Sequence, residues 1–360
     1  MNGNEVLTNA QFRAFVQRLV VLGTLALFLA MNCSCAPNGS SPAQEAFPQP
    51  KNYLSFRGSS PSKKIPVIFD TDIGDDIDDT WALGLLLQSP ELDVKLITTA
   101  VGDTSAKAKI VAKLLEVAGR ADIPVGIGLA HADKGKGHRQ DEWVKDYKLS
   151  SYPGTIYQDG VQALVDTIMK SPEPITVIAV GPLPNIAAAL QREPRIAEKA
   201  EFVGMHGSVR RGYEGRKEIS KEYNVVTFVK DAQKVFTTGW DMTITPLDTC
   251  GIVKLNGEKY RKVLESKSVL ARAVIENYRV WAKSQGLEET RVDTSSTTLY
   301  DTVAVYLAIS TELVQMEKLP ILVTDDGYTI IDDKAKTVNC ATKWKDLSAF
   351  EDFLISRLTK

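Results

Sequence analysis

Short apolar runs alternate along much of the chain with stretches that have helical spacing. Runs rich in β-branched and aromatic residues predict buried strands at 65–69, 94–100, 123–127, 175–180, 202–205 and 242–246. Between several of these runs, apolar positions predict helices over 79–87, 106–118, 158–169 and from the corner at 181–185 through 190. Strands that alternate with helices predict an α/β fold with an open, mostly parallel, Rossmann-like sheet flanked by helices.

The C-terminal part of the chain departs from this alternation. After residue 248 a mainly helical stretch continues to about 285, and a further helix is predicted over 302–309. Strands at 321–323 and 329–331 flank an Asp-Asp-Gly turn, which predicts a hairpin, and 347–358 predicts a last helix. The irregular stretch 131–156 is a candidate lid, because long loops in compact domains are usually functional or mobile.

The most unusual stretch joins the first predicted strand to the first predicted helix. It holds six aspartates within ten residues: Asp70, Asp72, Asp75, Asp76, Asp78 and Asp79. Such a density of carboxylates repels itself unless something positive is bound there. The carboxyl ends of strands in open α/β sheets are also where ligands bind. Hard oxygen ligands suit Ca²⁺ or Mg²⁺ better than zinc. The pattern therefore predicts a divalent-cation site, and a solvated acidic loop is the alternative.

Two other aspartate-rich motifs fit less well. An EF-hand needs a loop between two helices that ends in Glu, whereas a strand precedes this turn and no such Glu follows. A phosphatase of the haloacid dehalogenase type places Asp-x-Asp after a strand, as Asp70 and Asp72 are placed here. That type expects a hydroxyl two residues later, where this chain has Gly74.

Composition describes an ordinary globular protein of 360 residues with 44% hydrophobic and 24% charged residues. This length suffices for one large domain. The formal net charge of −2 gives no support for nucleic-acid binding. Two cysteines lie beyond the N-terminal region, Cys250 and Cys340. Their spacing leaves open whether they form a disulfide or remain as two buried thiols.

The N-terminal region differs from the rest of the chain. Arg13 and Arg18 precede the apolar run 19–31, which is shorter than the about 20 residues of a comfortable membrane span. Cys33 and Cys35 follow this run. Residues 1–35 are thus predicted to be a signal peptide or a lipoprotein leader. Residues 36–62 are predicted to be a flexible Pro/Ser-rich linker, and 63–360 a single folded domain. We expect an exported protein that is periplasmic, extracellular or anchored to the membrane by lipid.

The motif D-T-D-I-G-D-D-I-D-D at 70–79 resembles the N-terminal signature of the nucleoside hydrolases, the inosine/uridine-preferring N-ribohydrolases. Its form has two more residues before the last aspartate pair than the shortest family members have. Three weaker elements follow in the family's order, V-G-P-L-P-N at 180–185, E-Y-N at 222–224 and Y-D at 300–301. The resemblance spans nearly all of 65–310. It implies the nucleoside hydrolase fold and calcium-dependent hydrolysis of ribonucleosides to free base and ribose by a metal-activated water.

The resemblance also implies roles for individual residues. It implies that Ca²⁺ is held by Asp72, Asp79, Asp301 and the main-chain carbonyl of Val180, with Asp72 also the candidate general base. It implies a nucleoside site made by Asp78, Asp103, Met205, Glu222, Asn224 and Tyr300. The two-residue insertion leaves Asp75 and Asp76 as alternative ligands. The later pair is preferred because it sits immediately before the helix.

Some positions depart from the family's pattern. His206 stands where Gly is common, and Tyr300 replaces a His that is linked to protonating a purine leaving group. Contacts to the leaving base therefore have several candidates: Tyr300, Tyr223, His206, His138 and Trp143.

The departure at Tyr300 favours an alternative, an exported, non-catalytic ribose- or nucleoside-binding protein on the same fold. The intact carboxylates favour the enzyme. A hydrolase of another ribosyl compound is a third possibility. Family members are commonly dimers or tetramers, so we expect a homodimer or homotetramer.

Overall fold

A computed structural model of the chain describes residues 63–131, 133–134 and 137–360. Within these ranges the strands, in chain order, are β1 Ile65–Thr71, β2 Leu92–Thr99, β3 Val125–Ile127, β4 Ile156–Tyr157, β5 Ile175–Ala179, β6 Ala200–Met205, β7 Met242–Thr245, β8 Val314–Val323, β9 Thr329–Ile331 and β10 Thr337–Trp344.

Helices cover both faces of the sheet that these strands form. They are α1 Asp78–Leu87, α2 Thr104–Val117, α3 Gly160–Lys170, α4 Pro184–Arg192, α5 Ile196–Lys199, α6 Tyr223–Val226, α7 Val229–Thr237, α8 Leu247–Cys250, α9 Gly257–Leu264, α10 Val269–Ser284, α11 Glu289–Val292, α12 Thr302–Ile309 and α13 Leu347–Leu358. Short 3₁₀ helices occupy Asp141–Val144, Leu149–Ser151 and Tyr213–Gly215.

The sheet has the strand order β4-β3-β2-β1-β5-β6-β7-β10-β8-β9. All neighbours from β4 to β10 pair in parallel, whereas β8 is antiparallel to both β10 and β9. In the sheet, β1 lies between β2, the next strand along the chain, and β5, to which the chain returns later. The carboxyl ends of β1 and β5 therefore border a topological switch point, where open α/β sheets bind ligands. This confirms the predicted fold class.

The core explains why β1 carries a continuous apolar run. Ile68 and Phe69 are completely buried and belong to separate hydrophobic clusters, because successive side chains of a strand point to opposite faces of the sheet. Helix α1 is buried almost all round. Its Trp81 ring packs against the rings of Tyr260 and Tyr278 at centroid distances of 6.3 and 6.4 Å. The acidic turn between β1 and α1 is thus fixed at both ends by buried elements.

Several local predictions can be compared with the structure. The C-terminal hairpin pairs Ile321 with Ile331, and the last helix has the predicted bounds. The irregular stretch 131–156 contains two 3₁₀ helices and is anchored by the fully buried Gln140. Cys250 and Cys340 are free, buried thiols.

The predicted leader and linker lie outside the described residues. Within the part that is described, no helix combines the length and apolar character needed to cross a bilayer.

Candidate active site

A cavity of about 370 Å³ opens at the carboxyl ends of β1 and β5. Most of the residues assigned by resemblance lie in its wall. The wall is formed by Asp72, Asp75, Asp76, Asp78, Asp79, Val180, Met205, Tyr213, Glu222, Tyr223, Asn224, Tyr300 and Asp301.

Three buried carboxylates converge in this wall. Ligand oxygens of Asp78, Asp79 and Asp301 all lie within 4.8 Å of one another. Asp78 and Asp79 begin α1, and Asp301 is the N-cap of α12, so two helix N-termini face the cluster. Among the described residues, it is the later aspartate pair, and not Asp75 or Asp76, that clusters with Asp301.

The negative charges of these carboxylates repel one another. Burial, and then the charges of Asp72 and Asp78, raise the pKa of Asp79 well above its usual value. The pKa of Asp301 is raised in the same way by burial and by Asp78, Asp79 and Asp72. A divalent cation would relieve this repulsion, and an all-oxygen donor set is the kind that Ca²⁺ and Mg²⁺ take. The residues present therefore fit a hard metal ion.

Asp72 is held in place by an unusually close approach of the chain. A Cβ on Gly181 would lie 2.8 Å from Oδ1 of Asp72 and 2.9 Å from its main-chain nitrogen. Only glycine leaves room for the carboxylate there. On the other side of Asp72, its main-chain oxygen accepts a hydrogen bond of 2.7 Å from Nζ of Lys107.

Lys107 is a residue that the sequence analysis missed. It lies on α2, its side chain is only 6% exposed, and its Nζ is 3.0 Å from Oδ1 of the buried Asp75. It falls on the buried face of α2 with Ile110, Val111 and Leu114. A lysine at a core position of an amphipathic helix is the signal that identifies such a residue, because a buried charge needs a partner.

The middle of the acidic turn is held by hydrogen bonds from a neighbouring segment. Arg139 Nη1 donates to the main-chain oxygen of Asp75 at 3.2 Å, and Gln140 Nε2 donates to that of Asp76 at 2.8 Å. The turn is consequently fixed to the segment that the sequence presents as a candidate lid.

The E-Y-N element reaches the cavity through main-chain contacts. Glu222 is the N-cap of α6, and its carboxylate accepts hydrogen bonds from the nitrogens of Asn224 at 2.7 Å and Gly207 at 3.0 Å. Asn224 Nδ2 donates to the carbonyl oxygens of Val180 at 2.8 Å and Met205 at 3.0 Å. The structure thus brings these four predicted residues, Val180, Met205, Glu222 and Asn224, together in one wall.

Three tyrosines form the aromatic part of the wall. The hydroxyl of Tyr213 accepts a hydrogen bond of 2.9 Å from the main-chain nitrogen of Tyr223. The rings of Tyr213 and Tyr300 meet edge to face, with centroids 6.0 Å apart and planes at 84°. The sequence gives no signal that separates Tyr213 from its neighbours.

Asp103, predicted to bind substrate, is not part of the cavity wall. Its carboxylate is exposed and accepts a hydrogen bond of 2.9 Å from the nitrogen of Ala106, as an N-cap of α2. The carboxylate of Asp103 is therefore used as a helix cap and does not reach the cavity.

Three of the proposed leaving-group contacts also lie outside the wall. His206 is fully buried, its Nε2 is 3.1 Å from the carbonyl oxygen of Gly181, and burial lowers its pKa to about 3. His138 is exposed and pairs with Asp141 at 2.9 Å. Trp143 is buried beneath the ammonium group of Lys113.

The chain is similar to a known protein family. The family model described as inosine-uridine preferring nucleoside hydrolase matches residues 67–352. The pyrimidine-specific ribonucleoside hydrolase RihA of Citrobacter koseri is 32% identical over 205 residues, which are 54% of this chain and 64% of that protein.

Two further proteins match this chain over more than nine-tenths of their own length. The inosine-uridine preferring nucleoside hydrolase of Leishmania major is 29% identical over 299 residues, 77% of this chain and 91% of its own. The solved structure of a plant nucleoside hydrolase, PpNRh1, matches with a TM-score of 0.70 and 25% identity over 82% of this chain and 99% of that one. Because the family model spans most of the chain, the chain belongs to the inosine-uridine preferring nucleoside hydrolase family.

Proposed function

We propose that this protein is a Ca²⁺-dependent hydrolase that cleaves the N-glycosidic bond of ribonucleosides to free base and ribose. The observation that carries the proposal is the buried cluster of Asp78, Asp79 and Asp301 in the wall of a cavity of about 370 Å³. Oxygen donors alone favour Ca²⁺ over zinc, and the cluster's position at a switch point is where a small ligand would bind. The relatives named above support ribonucleosides as the substrate class.

The cation would be held by the clustered carboxylates of Asp79 and Asp301, with Asp78 beside them. Asp72 and the carbonyl of Val180, which line the same cavity, would complete the ligand set that the resemblance implies. When bound, Ca²⁺ would supply polarisation of a water molecule and of ribose hydroxyls. Asp72 would accept a proton from the attacking water as its oxygen bonds to C1′ of the ribose. Glu222 and Asn224 would orient the sugar, because their own main-chain contacts already hold them rigidly.

The test is release of reducing sugar from inosine, uridine, cytidine and adenosine by the purified protein. We expect release in the presence of Ca²⁺, its loss with a chelator, and a fall of about 10²- to 10⁴-fold for Asp72→Asn. Asp103→Asn is the matched control, because this carboxylate lies outside the cavity wall.

The same experiment separates the alternative functions. Nucleoside binding by calorimetry without any sugar release would favour a non-catalytic binding protein on this fold. Sugar release only from other N-ribosyl compounds would favour a hydrolase with a different substrate. Activity that survives both the chelator and Asp72→Asn would contradict the proposed mechanism.

We further propose that the protein is exported through its leader, with Cys33 or Cys35 available for lipid attachment, and that it assembles as a homodimer or homotetramer. Fractionation and intact mass of the full-length protein, with Cys33→Ser and Cys35→Ser variants, test export and lipidation. Light scattering of the purified protein tests assembly. A cytoplasmic, unmodified monomer would contradict all three statements.

A further inference from the structure

The proposed reaction needs a group that stabilises the departing base, and none of the roles assigned under the proposed function supplies one. When the bond between C1′ and the base nitrogen breaks, its electron pair stays on the base, so negative charge develops there. The described cavity wall contains no His, Lys or Arg side chain. Its hydroxyl donors are Tyr213, Tyr223 and Tyr300.

The three tyrosines differ in what their hydroxyls contact. Burial raises the pKa of Tyr300 and of Tyr223, and side-chain interactions with Thr298 and Thr227, respectively, oppose that rise. A threonine hydroxyl can accept as well as donate. Tyr213 instead accepts a hydrogen bond from a main-chain N–H, which can only donate. This bond orients the Tyr213 oxygen and leaves its proton for a different partner. An accepted bond also strengthens a hydroxyl as a donor.

The loop that carries Tyr213 is built rigidly. The carboxylate of Asp248 accepts hydrogen bonds from the nitrogens of Val209 at 2.9 Å and Arg210 at 2.8 Å. Ser208 Oγ donates to the oxygen of Arg211 at 2.6 Å and accepts from the nitrogen of Ser220 at 2.9 Å. The base of the loop is therefore closed on itself and fixed to α8.

Backbone strain occurs at the same place. Glu214, the residue after Tyr213, has a φ of 58°, a left-handed conformation that is uncommon for residues other than glycine. Such strain persists where the surroundings fix the chain, and it clusters at functional sites. A donor held rigidly in advance costs no reorganisation when charge develops, which is the condition for electrostatic stabilisation of a transition state.

We propose that Tyr213 is a catalytic residue that donates a hydrogen bond from its hydroxyl to the departing base. The inference rests on the proposed function. As the bond from C1′ to the base nitrogen breaks and the bond from water oxygen to C1′ forms, the Tyr213 hydroxyl stabilises the electron pair left on the base. The proton lost by the water passes to Asp72 and then to solvent, and solvent protonates the free base. Burial and the charge of Glu222 raise the pKa of Tyr213, which keeps the hydroxyl protonated as a donor.

The test compares two kinds of substrate, nucleosides and a nitrophenyl riboside, in the full-length protein and its Tyr213→Phe variant. Uridine and inosine need stabilisation of the departing base, whereas 4-nitrophenyl β-D-ribofuranoside releases a phenolate that delocalises its own charge. We expect Tyr213→Phe to lower kcat for the nucleosides by about 10²- to 10³-fold. We expect the nitrophenyl riboside to be cleaved within about threefold of the wild-type rate. Tyr157→Phe, at an exposed position outside the cavity wall, is the matched control and should cleave both kinds of substrate at the wild-type rate. Tyr223→Phe and Tyr300→Phe are compared with Tyr213→Phe and should lack its selective loss.

The outcomes distinguish a catalytic role of the Tyr213 hydroxyl from a purely structural one. Tyr213→Phe also removes the acceptor of the Tyr223 nitrogen, and structural damage from this change would slow both substrates together. An equal loss on both substrates would overturn the inference, as would a selective loss in Tyr300→Phe that is absent in Tyr213→Phe. Failure of the wild-type protein to cleave either substrate would instead refute the proposed function, so the two failures are distinguishable.

Discussion

The close contact between Gly181 and Asp72 allows a sharp test of the site's geometry. We predict that Gly181→Ala impairs activity much more than its size suggests. The added methyl group would lie 2.8 Å from Asp72 Oδ1, 2.9 Å from the Asp72 nitrogen and 3.0 Å from its Cβ. Two of these atoms are a main-chain atom and the Cβ, so rotation of one side chain cannot remove the clash.

The expected magnitude follows from the same distances. Ordinary van der Waals contact for such a carbon begins near 3.4 Å. Either Asp72 or the corner at 181–185 must therefore move by several tenths of an ångström. Overpacking of this kind costs about 1 to 3 kcal/mol of folding free energy. Displacement of a catalytic group by about 1 Å can cost about 10²-fold in rate. We therefore expect a folded protein whose ribose release falls by about 10- to 100-fold.

The assay combines initial rates of ribose release with thermal unfolding, and Gly239→Ala is the control. A Cβ at Gly239 would meet no atom within 4 Å, so both its rate and its unfolding temperature should match the wild type. Wild-type rates in Gly181→Ala would refute the reasoning, because Asp72 would then tolerate displacement. Complete unfolding of the variant would show that the corner at 181 contributes far more to stability than overpacking alone.

Three further predictions concern residues around the site. Asp103→Asn should change kcat and KM for nucleosides by less than about threefold, because Asn caps a helix as well as Asp. A larger effect would show that Asp103 contacts the substrate. Lys107→Met should lower the free energy of unfolding by about 3 to 5 kcal/mol, because it leaves Asp75 buried without this partner. Denaturant titration should show partial recovery in the Lys107→Met/Asp75→Asn double variant. Burial lowers the pKa of His206 to about 3, so the unfolded chain binds a proton near pH 6.5 that the folded chain does not. This contribution to stability is complete above pH 6.5. As pH falls toward 3, the wild type should therefore lose about 1.4 kcal/mol per pH unit more than His206→Gln, and equal slopes would contradict the assignment.

The parts of the fold that the sequence predicts well are those fixed by local pattern. The run 65–69 reads as a buried strand and is one, because both faces of β1 are covered. Its position directly before a helix favours the later aspartate pair, and in the structure this pair lies beside Asp301. In both cases periodicity and helix-start signals act over a few residues, where the sequence carries the information.

The parts that the sequence did not predict depend on distant contacts or on local competition. The hydrogen bond from Lys107 to the oxygen of Asp72 joins residues 35 positions apart, and no spacing rule relates them. The role of Tyr213 depends on how a loop closes against Asp248, which only the folded chain defines. Asp103 follows the predicted strand 94–100, but capping of α2 holds its side chain outside the cavity wall.

The central claim is that the buried carboxylate cluster holds a cation on which ribosyl hydrolysis depends. The most direct measurement is a Ca²⁺ titration of chelator-treated protein, with calorimetric binding and ribose release from inosine and uridine followed on the same samples. We predict one tight site per chain, ribose release that rises in proportion to its occupancy, and loss of both in Asp301→Asn. Full ribose release by the stripped protein, or saturated Ca²⁺ binding without release from any nucleoside, would contradict the account.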